Sequence, residues 1–183
     1  MPVVTTFTTH ITTLPEWEQQ IIKHYTFHGK TFQNIIEMLQ NKECYVVSDG
    51  SSKDKKGMFT WIMSTPMIAK EKTNIPLITC PGQVTNSDPS SYRSEAFGFL
   101  SFLTLIYRIL QFYNIKNFPK IKYFTDNEGL VKRILDMLHK KHYKQFTPTF
   151  AITSEYDAII AIFNTYNLII DGEYLTIKIK FGD

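Results

Sequence analysis

The sequence predicts an α/β fold in which helices flank one mixed β-sheet. Short apolar runs of strand length stand before and after a long apolar stretch of helical character. Near the C-terminus, residues 175–181 alternate apolar and polar side chains with the period of two that is typical of a strand. The chain has 183 residues, of which 43% are hydrophobic, and this is enough for the core of one domain.

The N-terminal part predicts a helix ahead of the sheet. Residues 1–12 are rich in threonine and are expected to be extended. Thr13 and Glu16 have the spacing of a capping box, and Pro15 suits the first turn of the helix that follows. The apolar positions of this helix recur at helical spacing at Trp17, Ile21, Ile22 and Tyr25.

A second leading helix is expected after a break at residues 28–30. Thr31 is its cap, because apolar residues at helical spacing follow it. Those apolar positions are Phe32, Ile35, Ile36 and Leu39. We therefore divide the chain into a helical leader, 1–42, and a main domain, 43–183.

A β-hairpin is expected to open the main domain. Residues 44–48 form a short apolar strand, 53–57 a charged turn and 58–64 the returning strand. A third strand is expected near 77–80, where the following Pro81 interrupts it in the manner of a sheet edge.

The rest of the main domain alternates helices and strands. A long helix starts after Asp88-Pro89-Ser90 and is apolar around most of its circumference, so it is expected to be buried. The later elements are a strand over 120–125, a helix over 128–138, a helix beginning near Ser154 and Asp157, and the strand 175–181. The resulting order of the main domain is β-β-β-α-β-α-α-β.

Three acidic residues stand at separate places in this order. Asp49 follows the first strand of the main domain, Asp126 follows the fourth, and Glu95 lies in the first turns of the long helix. A fold that brings these places together would cluster three carboxylates, and such a cluster needs cations to neutralise it. The three acids are therefore candidate catalytic residues and ligands of a divalent-metal site. Paired metal ions are a common means of cleaving phosphodiesters.

Each acid also has a purely structural interpretation. Asp49 precedes a glycine, and Asp-Gly is a common turn pair. Glu95 complements the dipole at the start of a helix. Asp126 can cap the helix that follows its strand. Taken one at a time, the residues leave both interpretations open.

Three motifs around the acids carry a resemblance to a known family. They are Ser48-Asp49-Gly50-Ser51, Arg93-Ser94-Glu95-Ala96 and Thr125-Asp126-Asn127. In this order and on these kinds of element, they resemble the metal-binding motifs of type 1 ribonuclease H domains, of the kind associated with reverse transcriptases and retroelements. The resemblance covers roughly residues 44–183. Upstream, Leu14-Pro15-Glu16-Trp17 is similar to the segment that precedes such domains in retrotransposon polyproteins.

The resemblance implies a ribonuclease H-like fold with a five-stranded mixed sheet. The first three strands would be antiparallel, and the first and fourth would be parallel neighbours. It also implies an endonuclease that hydrolyses the RNA strand of RNA–DNA hybrids with two Mg²⁺ ions, for which Mn²⁺ can substitute. Asp49 would bridge both ions, and Glu95 and Asp126 would complete the shell of one. Partners would be RNA–DNA hybrids or other nucleic acids and other parts of a retroelement polyprotein.

The C-terminal segment departs from the family pattern. In the family, a Lys-Gly-His loop and a helix with a fourth acid follow the last strand, whereas this sequence reads Lys178-Ile179-Lys180-Phe181-Gly182-Asp183. Asp157 precedes the last strand and does not replace the fourth acid. We therefore expect a C-terminally short domain with low activity or none, in which one metal site is retained. The alternative is a non-catalytic nucleic-acid-binding or structural remnant of such a domain.

A proofreading exonuclease of the same fold is disfavoured. Those enzymes open with Asp-x-Glu on the first strand, but Ser51 stands two residues after Asp49.

Six further residues are candidate substrate contacts. Gly50 and Ser51 can present backbone groups to a 2′-hydroxyl, the feature that distinguishes RNA from DNA. The other candidates are Arg93, Asn127, Lys140 and Lys141. The last two belong to the basic run 139–144, which also has a structural interpretation as a solvated helix end.

Charge, cysteine content and hydropathy indicate the broad class of protein. The formal net charge of +3 permits a nucleic-acid partner without requiring one. Cys44 and Cys80 have no zinc-ligand spacing and are expected to be reduced core thiols. No apolar run is expected to reach the ~20 residues that cross a membrane. We therefore expect an intracellular protein, cytoplasmic or nuclear, with no membrane partner.

Overall fold

The computed structural model describes residues 6–28, 44–64, 76–84, 90–140 and 156–182. In these ranges the chain forms a six-stranded mixed sheet with helices packed on it. The strands are β1 (Thr26–Phe27), β2 (Cys44–Lys53), β3 (Lys56–Ser64), β4 (Pro76–Val84), β5 (Phe118–Thr125) and β6 (Leu175–Phe181). The helices are α1 (Phe7–Ile11), α2 (Glu16–Ile22), α3 (Ser91–Phe112), α4 (Glu128–Lys140) and α5 (Tyr156–Asp171).

The strands lie in the order β1-β4-β3-β2-β5-β6. Strands β2, β3 and β4 are antiparallel neighbours, whereas β5 is parallel to both β2 and β6. This topology confirms the predicted α/β class and the parallel pairing of the first and fourth strands of the main domain. The sheet has six strands rather than the expected five, because Thr26 and Phe27 pair with the edge of β4. A strand of two residues is too short to produce a recognisable sequence pattern.

Strands β2, β3 and β4 are longer than the sequence predicts. Asp54 and Lys55 have positive φ values of 52° and 63° and form a tight turn, so the hairpin pairs as far as Lys53 and Lys56. Strand β4 continues through Pro81 instead of stopping before it, because β1 reaches only as far as Thr79 and leaves this part of β4 at the sheet edge. A proline is tolerated at an edge, where its missing N–H breaks no ladder.

Helix α3 is the centre of the core. It is capped by Ser90, whose hydroxyl accepts a hydrogen bond from the backbone N–H of Arg93. The helix packs across β2, β3 and β4, and α5 packs along it. By length and composition α3 is able to span a membrane, which corrects the expectation that no segment reaches that length. Its most apolar window is 78% buried inside the protein, as is typical of a core helix.

The start of the leader differs from the prediction. Residues 7–11 form a helix rather than an extended segment, and Thr6 caps it by accepting a hydrogen bond from the N–H of Thr9. Thr13 does not form the predicted capping box with Glu16. Its hydroxyl donates to the carbonyl of His10, and α2 begins with Pro15 at its N-cap and no side-chain cap. The Thr13 hydroxyl therefore satisfies a carbonyl in the last turn of α1 instead of capping α2.

The described part of the leader shares the core of the sheet domain. Ile21 and Ile22 of α2 are buried. The Ser101 hydroxyl of α3 donates to the Ile21 carbonyl at 2.6 Å and accepts a hydrogen bond from the indole N–H of Trp61 at 2.9 Å. The predicted second leading helix lies outside the described residues.

A buried ion pair also joins α2 to α3. Both oxygens of Glu18 accept hydrogen bonds from Arg108, at 3.2 Å from Nε and 2.7 Å from Nη2. The Glu18 side chain is only 6% exposed, so its charge depends on this partner.

Both cysteines are buried free thiols, as the sequence predicts. Burial raises the pKa of the Cys80 thiol to about 11, which keeps it protonated and unreactive at neutral pH.

We predict that Arg108→Ala lowers the free energy of unfolding by roughly 3 kcal/mol, because it leaves the Glu18 carboxylate buried without its cation. Urea denaturation at pH 7 measures the change. Adding Glu18→Gln to the variant should recover part of the loss, since the buried group is then neutral. A single variant as stable as the unmodified protein would contradict the assignment of this pair.

Candidate metal centre

A notch at one end of the sheet holds the candidate site. Strand β2 pairs with β5 only as far as Ser48 and Thr125, but β2 continues beside β3 to Lys53. Asp49 is the first residue of β2 beyond the pairing with β5, and Asp126 follows the end of β5. Because β2 runs past the end of its parallel neighbour β5, Asp49 within β2 and Asp126 after β5 lie at one place, just beyond the last β2–β5 pair. The sequence predicted Asp49 at the end of its strand, and the structure places it inside the longer β2.

Helix α3 brings the third acid to the notch. Asp49, Glu95 and Asp126 each offer one carboxylate oxygen, and the three oxygens lie within 4.8 Å of one another. Oxygens that share one divalent ion at bond lengths of about 2.0–2.6 Å are at most roughly 4–5 Å apart. Carboxylates are also the ligands that hard cations prefer, so this donor set fits Mg²⁺, Mn²⁺ or Ca²⁺.

Two hydrogen bonds orient the Glu95 carboxylate. The backbone N–H of Gly50 donates to Oε1 at 2.7 Å, and the Thr125 hydroxyl donates to Oε2 at 3.1 Å. The neighbouring Ser94 hydroxyl donates to the carbonyl of Ser51 at 2.9 Å. These contacts join the first turns of α3 to β2 and β5, the two strands that carry the other acids.

Gly50 is needed for this close approach. A Cβ at this position would lie 2.6 Å from the backbone nitrogen of Glu95 and 2.8 Å from the carbonyl carbon of Ser94, both rigid backbone atoms. The glycine lies within β2, paired with Phe59, and not in a turn. The turn interpretation of Asp49-Gly50 is therefore wrong, because the hairpin turns only at Asp54 and Lys55.

The electrostatics of the cluster favour a bound cation. Glu95 is 2% exposed, whereas Asp49 and Asp126 are exposed to solvent. Burial raises the pKa of Glu95 to about 7, and the charges of Asp126 and Asp49 add to the shift, while the Gly50 and Thr125 hydrogen bonds oppose it. A divalent cation bound among the three carboxylates would offset their mutual repulsion and favour their charged forms.

The predicted substrate contacts on β2 and α3 take part in the structure of the site. The N–H of Gly50 and the carbonyl of Ser51 are both engaged by α3. Arg93 is buried, and its two terminal nitrogens donate to Asp157 of α5 at 2.9 and 2.8 Å. Its guanidinium also lies over the ring of Phe97.

The other predicted contacts lie after β5. Asn127 caps α4, since its side-chain oxygen accepts a hydrogen bond from the N–H of Leu130 at 2.9 Å. This residue, and not Asp126, makes the cap, which leaves the Asp126 carboxylate to the cluster. Lys141 and the side chain of Lys140 lie outside the described residues. The roles of all these residues in binding stay predictions.

Two residues that build the site were not predicted from the sequence. Thr125 orients Glu95, and Asp157 holds Arg93 two residues before Glu95. Thr125 directly precedes Asp126 and lies in one of the quoted motifs, so its position was a usable signal. No local pattern indicates the partner of Arg93, because Asp157 is 64 residues away.

We predict that Gly50→Ala lowers the free energy of unfolding by roughly 1–3 kcal/mol, because the added methyl group separates α3 from β2. It should also abolish Mn²⁺ binding at the cluster, measured by titration calorimetry. Gly129→Ala is the matched control: the nearest atom to its Cβ is at 3.5 Å, and helix propensity favours alanine there. Unchanged Mn²⁺ affinity in Gly50→Ala would show that the close approach is not required.

The raised pKa of Glu95 predicts how stability without metal depends on pH. The folded protein keeps a proton on Glu95 up to a pKa of about 7, whereas the ordinary pKa of a glutamate, which applies in the unfolded chain, is 4.5. Unfolding therefore releases this proton between the two values, and stability falls as pH rises through that window, by up to roughly 3 kcal/mol.

Denaturation in EDTA at pH 5 and pH 8 tests this effect. Glu95→Gln should remove the fall, since the amide does not titrate, and its stability relative to the unmodified protein should therefore be higher at pH 8. Mn²⁺ should stabilise the unmodified protein more at pH 8 than at pH 5. If the free energies of unfolding of Glu95→Gln and the unmodified protein differ by the same amount at pH 5 and pH 8, the pKa of Glu95 is not raised.

No family model matches the chain, and no curated protein matches it. Solved structures do. The N-terminal RNase H domain of a Mycobacterium tuberculosis protein is 9% identical, with 77% of this chain and 82% of that chain covered and a TM-score of 0.46. The PFV RNase H domain is 10% identical, with coverages of 75% and 77% and a TM-score of 0.49.

A third structure is that of a foamy-virus protease–reverse transcriptase in complex with an RNA/DNA hybrid. It is 13% identical, with 93% of this chain and 20% of that chain covered and a TM-score of 0.49. The assignment of the fold to this chain rests on its own strand order, its mixed pairing and the helix packed across β2, β3 and β4. By that topology, the chain has a ribonuclease H-like fold.

Proposed function

We propose that this chain is a divalent-metal-dependent nuclease that hydrolyses the RNA strand of RNA–DNA hybrids as part of a retroelement protein. The observation that carries the proposal is the convergence of Asp49, Glu95 and Asp126, whose oxygens lie within 4.8 Å of one another. The three come from the interior of β2, the position after β5 and the first turns of α3, which are far apart in sequence. Separate structural roles would not require them to meet.

The three acids would have different roles, because one is buried and two are exposed. Glu95 is buried and oriented by Gly50 and Thr125, so it supplies a fixed ligand at the base of the site. Asp49 and Asp126 are exposed and can face a phosphodiester as well as an ion. Bound there, Mg²⁺, or Mn²⁺ in its place, would activate a water molecule and stabilise the leaving oxygen of an in-line displacement.

The substrate class follows from the motif resemblance and from the position of Ser51. This residue is exposed and stands two positions after Asp49, where its side chain can reach the sugar of a bound strand. A 2′-hydroxyl there would distinguish RNA from DNA. The retroelement context and an intracellular location belong to the same proposal, as does the division into a leader, 1–42, and a main domain, 43–183.

A second candidate is a domain that binds nucleic acid without cleaving it. Among the described residues, the cluster holds three carboxylates, whereas the family resemblance implies four. A site with three acids can hold one ion well and a second less well, which would reduce turnover before it reduced binding.

We predict that the pure protein cleaves the RNA strand of a labelled hybrid with Mg²⁺ or Mn²⁺ and not with EDTA. Asp49→Asn should lower the rate by more than about a hundredfold, since even the partners of metal ligands are worth about 10–100-fold. Asp54→Asn is the matched control, because Asp54 lies in the exposed hairpin turn and asparagine tolerates its positive φ of 52°.

The outcomes separate the two candidates. Cleavage that survives in Asp49→Asn comes from a contaminant or another site and ends the proposal. Hybrid binding by folded protein without any cleavage supports the second candidate.

A further inference from the structure

A cleft of about 500 Å³ lies between the end of α2 and the edge of β4. Its walls include Gln20, Lys23 and His24 from the leader and Gly82 and Gln83 from β4. The cleft exists because β1 pairs with β4 only at Ile78 and Thr79, so the described sheet ends there at β4.

The side chains of the cleft suit an anion. Lys23 brings a positive charge, and Gln20, Gln83 and the ring of His24 bring hydrogen-bond donors. None of the described residues that line the cleft carries a carboxylate.

The cleft lies at the level of the acid cluster across the sheet. Gly50 pairs with Phe59, and Phe59 pairs with Gly82. Gly82 is therefore two strands away from Gly50, the residue next to Asp49, which is about 10 Å at the usual strand spacing. Successive base pairs of a duplex rise by about 3.4 Å. A nucleic acid at the acids thus reaches the cleft within a few nucleotides.

The hairpin between the two places is basic at its tip. Lys53 and Lys56 face each other across the β2–β3 pairing, and Lys55 stands in the turn between them. All three are exposed. Asp54 stands in the same turn, so the tip carries a net charge of +2. Lys23 at the cleft and the lysines of the hairpin tip thus offer positive charge of the kind that attracts a phosphate backbone.

We infer that this cleft binds the phosphate backbone of the nucleic acid a few nucleotides away from the acid cluster, with Lys23 as its main contact. The inference rests on the proposed function and adds to it, because it makes the leader helix α2 part of the substrate-binding surface. Phosphate contacts of this kind position a strand without reading its sequence.

The test measures hybrid affinity by fluorescence anisotropy in EDTA, so that cleavage does not interfere. Lys23→Glu should weaken binding by about tenfold and reduce the slope of log affinity against log salt by about one. Lys23→Arg should retain the affinity. Lys132→Glu on α4 is the control, since Lys132 is exposed and distant from the cleft, with Glu128 as its partner. Unchanged circular dichroism and Mn²⁺ affinity will confirm that each variant is folded.

The results distinguish the inference from the function on which it rests. If the protein cleaves hybrids but Lys23→Glu binds them like the unmodified protein, the cleft inference is wrong and the nuclease proposal stands. If hybrids are not cleaved but single-stranded DNA binds with the same dependence on Lys23, the cleft inference stands alone. Dependence on Lys23 for inorganic phosphate only, with no effect on nucleic acid, overturns it.

Discussion

The close approach of α3 to β2 at Gly50 is the constraint on which the rest of the site depends. The N–H of Gly50 meets the Glu95 carboxylate at 2.7 Å, and the Ser94 hydroxyl holds the carbonyl of Ser51 at 2.9 Å. A side chain at position 50 would overlap the helix backbone. The absence of a Cβ therefore allows a buried helix to place a carboxylate beside Asp49, which lies on a different element.

This arrangement is electrostatically unfavourable without a cation. Glu95 lies almost fully buried beside two other acids, and its pKa is raised to about 7 mainly by burial. The fold tolerates this destabilisation because burial of the large apolar core around α3 stabilises the protein by much more than one buried carboxylate destabilises it. Carboxylates that a rigid fold keeps close together despite their repulsion are typical of sites for metal-dependent catalysis.

The leader is mechanically connected to the same helix. Glu18 pairs with Arg108, and the carbonyl of Ile21 accepts a hydrogen bond from Ser101, so α2 is fixed to α3 at two buried points. The cleft at the end of α2 and the acid cluster at the start of α3 therefore share one scaffold. A nucleic acid that contacts both would meet surfaces at a fixed separation, which reduces the entropy lost on binding.

The sequence by itself determined the order of the main-domain elements and the three acids, because periodicity and short motifs are local signals. Asp49, Glu95 and Asp126 were identified from their positions at strand ends and a helix start, and these positions converge in the fold. Only the tertiary structure decided that β2 continues past Gly50, that Asp157 binds Arg93, and that Thr26–Phe27 extends the sheet. The first depends on where the hairpin turns, the second joins residues 64 positions apart, and the third is a strand of two residues, too short to show a period. They depend on how the packed elements meet, and no local pattern encodes that.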